Sequence, residues 1–71
     1  MAQSYYSQVR KEIMARIIEF IRANPDIEVD KICGIFAVKT GNKGSTIRSM
    51  VIDLKNSGRI SIEEDRARYV E

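Results

Sequence analysis

Residues 41–60 read GNKGSTIRSMVIDLKNSGRI, a glycine-bounded segment with a helical apolar period. Ile47, Met50, Val51 and Leu54 fall at i, i+3, i+4 and i+7, the spacing that lines one face of an α-helix. The spacing predicts a helix over about 46–57, with Ser45 as its N-cap and Gly58 as its C-terminal stop. Gly41-Asn42-Lys43-Gly44 is rich in residues that accept a left-handed backbone, so it reads as a tight turn from a preceding helix. That preceding helix is expected over about 30–40, from Ile32, Cys33, Ile35, Phe36 and Ala37, with Asp26 or Asp30 as its cap.

Upstream, Val9, Ile13, Ile17, Phe20 and Ile21 recur at helical spacing, flanked by Met14 and Ile18, and predict a helix over about 4–23 that Asn24-Pro25 ends. Its apolar stripe spans about half the circumference, wider than the stripe of an ordinary surface helix, so a second contact besides the core is expected. Ile27-Glu28-Val29 is a short β-prone stretch. Downstream the period changes to two: Ile60 and Ile62 alternate with polar residues, 63–66 have turn composition, and Ala67 and Tyr69 alternate again. A β-hairpin is expected, with Arg66 and Arg68 on its outward face.

The chain has 71 residues, enough for one domain; residues 1–6 read either as a frayed terminus or as a dimer-forming tail built on Tyr5 and Tyr6. One cysteine, Cys33, allows no internal disulfide, and with no histidine neither a tetrahedral zinc site nor imidazole-based catalysis can be assembled within the chain. No cofactor, metal or enzyme activity is expected. The longest apolar run is Ile35–Val38, far short of a bilayer span, and no targeting segment is read at the N-terminus, so a soluble, cytoplasmic protein without membrane contact is expected. Formal charge is +2, unevenly spread: residues 1–25 carry +2, 26–42 carry −1, 43–60 carry +3 and 61–71 carry −2.

Helix, short strand, helix, glycine turn, amphipathic helix, hairpin is the element order of the winged helix-turn-helix fold. Within residues 33–50 the chain resembles the helix-turn-helix signature of many bacterial, archaeal and viral transcription regulators: Ala37 where the helices cross, Gly41 in the turn, then Ile47 and Met50. GSTIRSMVIDLKNSGRI resembles their recognition helix and first wing strand, and EEDRARYV, residues 63–70, is similar to their wing sequence without its tip glycine. The resemblance covers residues 27–70, and departs from the family at Asn42, where an apolar residue usually follows the turn glycine. It implies an α+β, mainly α, winged-helix domain that binds double-stranded DNA.

The DNA-contact residues follow from helix geometry. Lys43, Ser45 and Thr46 stand at the N-terminus of the third helix, where free N–H groups and the helix dipole favour phosphate. Ser45, Ser49, Ile52 and Asn56 project outward, with Arg48 and Asp53 on the flanks. Arg48 suits guanine, Ser49 either base edge and Ile52 a thymine methyl, while Arg66 and Arg68 suit phosphates or a narrow minor groove. A homodimer through the first helix and N-terminal tail is the expected assembly. The alternative is a winged-helix module that binds protein through Ile52 and the acidic tip, its arginines being a solvated surface. Met14, Met50 and Cys33 read as core filler.

Overall fold

In the computed structural model the described residues are 5–71, with side chains described from Gln8 onward. The elements are α1 (Tyr5–Ala23), β1 (Ile27–Glu28), α2 (Val29–Thr40), α3 (Gly44–Asn56), β2 (Ile60–Glu63) and β3 (Arg66–Tyr69). The result is a small, mainly helical α+β domain in which three helices pack on an antiparallel sheet of order β1-β3-β2. The expected tail contact of Tyr5 and Tyr6 lies outside the described side chains.

The predicted inner faces meet in one core. Ile13, Ile17 and Ile21 of α1, Ile32, Cys33 and Phe36 of α2, and Ile47, Met50, Val51 and Leu54 of α3 are buried together with Ile60 and Ala67 of the sheet. Ile17, Ile21, Ile32, Ile47 and Val51 lose essentially all contact with solvent, each a gain of about 1.5–3 kcal/mol in transfer terms. Phe20 meets Phe36 edge to face at 5.6 Å between ring centroids. The rest of the broad α1 stripe, Val9, Met14, Ile18 and Phe20, is half-buried at the margins of this core.

The helix boundaries depart from the expected ones by a residue or two at the N-termini. α3 begins at Gly44, so its N-cap is Lys43, in extended backbone, and Ser45 lies inside the first turn instead of capping it. Three residues, 41–43, suffice for the turn because Gly41 takes φ 74° and its N–H closes back onto the Ala37 carbonyl. Nor does a carboxylate cap α2: its N-cap is Glu28, without a side-chain cap bond, because β1 runs directly into the helix. Asn42, the departure from the family pattern, is half-buried and donates its amide to Thr40 Oγ1 at 2.9 Å, while Thr40 Oγ1 donates to the Phe36 carbonyl. The polar side chain is thereby satisfied inside the turn.

The hairpin is present but forms part of a three-stranded sheet. Ile27 pairs with Ala67 and Glu28 with Arg66 on one side of β3, while Ile60 through Glu63 pair with Tyr69 through Arg66 on the other. The Val29 N–H donates to the Asp65 carbonyl at 2.8 Å, so β1 accompanies β3 up to its turn. The two-residue turn, Glu64-Asp65, carries φ of 51° and 61°, the left-handed values a type I′ hairpin requires.

Candidate nucleic-acid interface

The short 41–43 turn holds α3 against α2 and leaves one face of α3 outside the core. On that face Ser45, Ser49 and Asn56 are exposed, as is Ile52 at 44%. Lys43 is exposed at the helix N-terminus, and Thr46 is half-buried. The Lys43 carbonyl accepts from the N–H groups of Thr46 (3.0 Å) and Ile47 (3.2 Å), and among the described residues the Gly44 and Ser45 amides of the first turn have no backbone acceptor. Anions are favoured at such a terminus.

Arg48 stands on the flank that faces α2, where its guanidinium donates to the Asp30 carboxylate across 18 residues of sequence. That hydrogen bond raises the guanidinium pKa further above its already high ordinary value. On the opposite flank Asp53 is held by Arg10 of α1 at 2.5 Å, and Arg10 also reaches Ser49 Oγ at 3.4 Å. Nothing in the spacing of α1 singles out Arg10, yet its contact neutralises the one carboxylate on α3.

The sheet presents the other two expected cations. Arg66 and Arg68 are exposed on the face opposite buried Ala67, as the alternation predicted. Neither stands alone. Arg68 makes a bidentate pair with Asp26, Nε to Oδ1 at 2.5 Å and Nη2 to Oδ2 at 2.8 Å. Arg66 donates to the Asp26 carbonyl at 3.0 Å and pairs with Glu28 at 3.6 Å. The Arg68 hydrogen bond holds the Asp26 carboxyl below its ordinary pKa, and Asp26 raises that of Arg68 in return. Asp26 itself has φ 65° in the turn after α1, third in an Asn24-Pro25-Asp26-Ile27 turn closed by the Ile27 N–H on the Asn24 carbonyl.

The nine sequence-nominated residues therefore fall in two patches. Lys43, Ser45, Thr46, Arg48, Ser49, Ile52 and Asn56 gather on and beside α3, while Arg66 and Arg68 lie on the outer sheet face. Asp26 and Asp30, candidate caps by sequence, and Glu28, part of the β-prone stretch, are the partners of Arg68, Arg48 and Arg66. Asp26 and Glu28 reach Arg68 and Arg66 through the β1–β3 register, while Asp30 reaches Arg48 from the first turn of α2. Cys33 is buried, and loss of solvation pushes its thiol pKa up, as for an inert core cysteine. Among the described residues no three His, Cys, Asp or Glu side chains cluster as metal ligands, and no helix is long and apolar enough to cross a membrane. No protein-family model, curated protein or solved structure matches this chain.

Proposed function

We propose that this chain is a sequence-specific double-stranded DNA-binding protein of the winged-helix type, a transcription regulator without enzymatic activity. The observation that carries the reading is the outer face of α3: small uncharged side chains, Ser45, Ser49 and Asn56, next to Ile52, on a rigid helix bordered by Lys43 and Arg48. Small polar groups let a helix sit deep in a major groove, and a flanking arginine supplies the bidentate donor that guanine O6 and N7 accept. Lys43, Ser45 and Thr46 position the backbone at the α3 N-terminus, while Arg66 and Arg68 reach phosphate by exchanging their carboxylate partners. Fluorescence anisotropy with a labelled random-sequence duplex tests it: micromolar binding at about 50 mM salt that collapses at about 200 mM is expected from phosphate neutralisation. Absence of binding at the lower salt would end the reading.

The assembly in this reading is a homodimer through α1 and the N-terminal tail, supported by the half-buried Met14 and Ile18 beside exposed Ala15 on α1. A two-fold dimer would read half-sites about 34–36 Å apart. A monomer in sedimentation at micromolar concentration removes that part alone.

One set of observations favours a second reading, a protein-binding module. Ile52 is a large exposed apolar side chain at the centre of the α3 face, and the hairpin turn is acidic and drawn against the start of α2 by the Val29–Asp65 bond. The same anisotropy experiment separates the two, since this module leaves the duplex unbound.

A further inference from the structure

We propose that Asp26, Glu28 and Asp30 are specificity-determining residues: intramolecular anions that hold Arg68, Arg66 and Arg48 so that non-specific phosphate must displace a carboxylate at each. The inference rests on the DNA-binding reading and adds to it the residues that set how selectively DNA is bound.

Three features of the fold carry it. The carboxylates come from one five-residue segment that passes from the turn after α1 (Asp26) through β1 (Glu28) into the first turn of α2 (Asp30). Each meets a different arginine: Asp26 with Arg68, Glu28 with Arg66, Asp30 with Arg48. The three arginines come from elements distant in sequence, β3 and α3, and are those that face outward where nucleic acid would approach. The Asp26–Arg68 contact uses the same planar fork that would grip a phosphate, so both anions compete for one geometry.

The consequence is selective. Phosphates are the same on every duplex, so a cost imposed on each phosphate contact falls on all sequences equally. A cognate site adds base-edge contacts to α3 that offset this cost, and a random site does not. Exposed ion pairs are individually weak and exchangeable, so the carboxylates lower non-specific affinity without blocking the arginines outright. Asp53 is kept out of this competition by Arg10, which holds it on the far flank of α3.

The test compares the wild-type chain with D26N/E28Q/D30N and with E12Q/E64Q/E71Q. The second variant removes the same charge from carboxylates that make no ion pair among the described residues. Anisotropy with a labelled random-sequence duplex is read between about 50 and about 200 mM salt, with circular dichroism confirming that each variant is folded. Freeing three arginines should steepen the log–log salt slope by up to about 2.7, and raise affinity at low salt about tenfold or more over the control. Asp26→Asn alone, which frees the fork of Arg68, should steepen the slope by up to about 0.9 and keeps the test open if the triple variant folds poorly. Equal gains in the two triple variants would mean that net charge alone acts, and would overturn the inference. Wild-type binding with an unchanged slope in D26N/E28Q/D30N would overturn it while leaving the DNA reading standing. Failure of every variant to bind duplex would remove both.

Discussion

The α3 face and the outer sheet face each present arginine among exposed residues, yet their electrostatics differ. On α3 the residues one turn from Arg48 are Gly44, Ser45, Val51 and Ile52, none acidic, and its single carboxylate partner is brought from α2. On the sheet, Arg66 lies between Glu28 of β1 and Glu63 of β2 in the pairing register, and Arg68 is clamped by Asp26. A helix surface is governed by local neighbours at i±3 and i±4, whereas a sheet surface is governed by residues that arrive across strands from elsewhere. Charge summed over a stretch of sequence therefore misses the partners on both faces, Asp30 and Arg10 at α3 as well as Asp26 and Glu28 at the sheet.

The largest expected effect tests the inner half of that contrast. Ile47 and Ile52 are both isoleucines on α3, one fully buried and one 44% exposed. Ile47→Ala should cost about 2–5 kcal/mol in denaturant unfolding, the range for emptying a core site. Ile52→Ala should stay within about 0.5 kcal/mol of wild type. Similar losses at both positions would mean that Ile52 is covered in solution, as a protein-binding surface would require.

Binding distinguishes the two outer faces next. Arg48→Ala should weaken a selected cognate duplex by about 1–3 kcal/mol and relax preference at one base pair. Arg66→Ala should weaken all duplexes alike and make the salt slope shallower, by less than the about 0.9 of an unpaired cation because Glu28 already offsets its charge. If Arg48→Ala also acts uniformly, Arg48 is a phosphate contact and the helix and sheet arginines do the same work.

The fold was legible wherever burial enforces a period. Ile47, Met50, Val51 and Leu54 announce α3, Ile13, Ile17 and Ile21 announce α1, and all are buried. Capping was less legible: Ser45 has the chemistry of an N-cap, but φ 74° at Gly41 lets the turn close two residues sooner, leaving Lys43 in that place. The outward direction of Arg66 and Arg68 was readable from alternation, while their partners were not. Asp26 is 42 residues from Arg68, and pairing depends on β1 joining β3, which a two-residue strand hardly signals. Arg10 with Asp53 is the same case between helices.

A smaller effect is expected at the hairpin turn, where Glu64 and Asp65 both hold positive φ. Side chains with a Cβ are disfavoured in that region, and Asn-Gly is the favoured type I′ pair. E64N/D65G should raise stability by about 0.5–1 kcal/mol in denaturant unfolding. No gain, or a loss, would show that the tip's acidic side chains contribute more to the fold than the backbone strain costs.

The smallest expected effect isolates the sheet clamp without DNA. The Arg68 hydrogen bond favours the charged form of Asp26 and outweighs the desolvation that opposes it, so the carboxyl titrates below its ordinary value. A carboxyl with a depressed folded-state pKa stabilises the fold above its unfolded pKa of about 3.9, and that contribution is lost as pH falls through the lower folded value. Arg68→Gln removes the charged donor while keeping an exposed polar side chain, so the Asp26 titration followed by carboxyl-carbon NMR should move up toward the ordinary value. Stability should change little near neutral pH, because an exposed pair is screened by solvent, and the difference between wild type and variant should narrow further in acid. An Asp26 curve that stays depressed without Arg68 would transfer the clamp to Arg66, and the two arginines of β3 would then have to be read as one cationic unit.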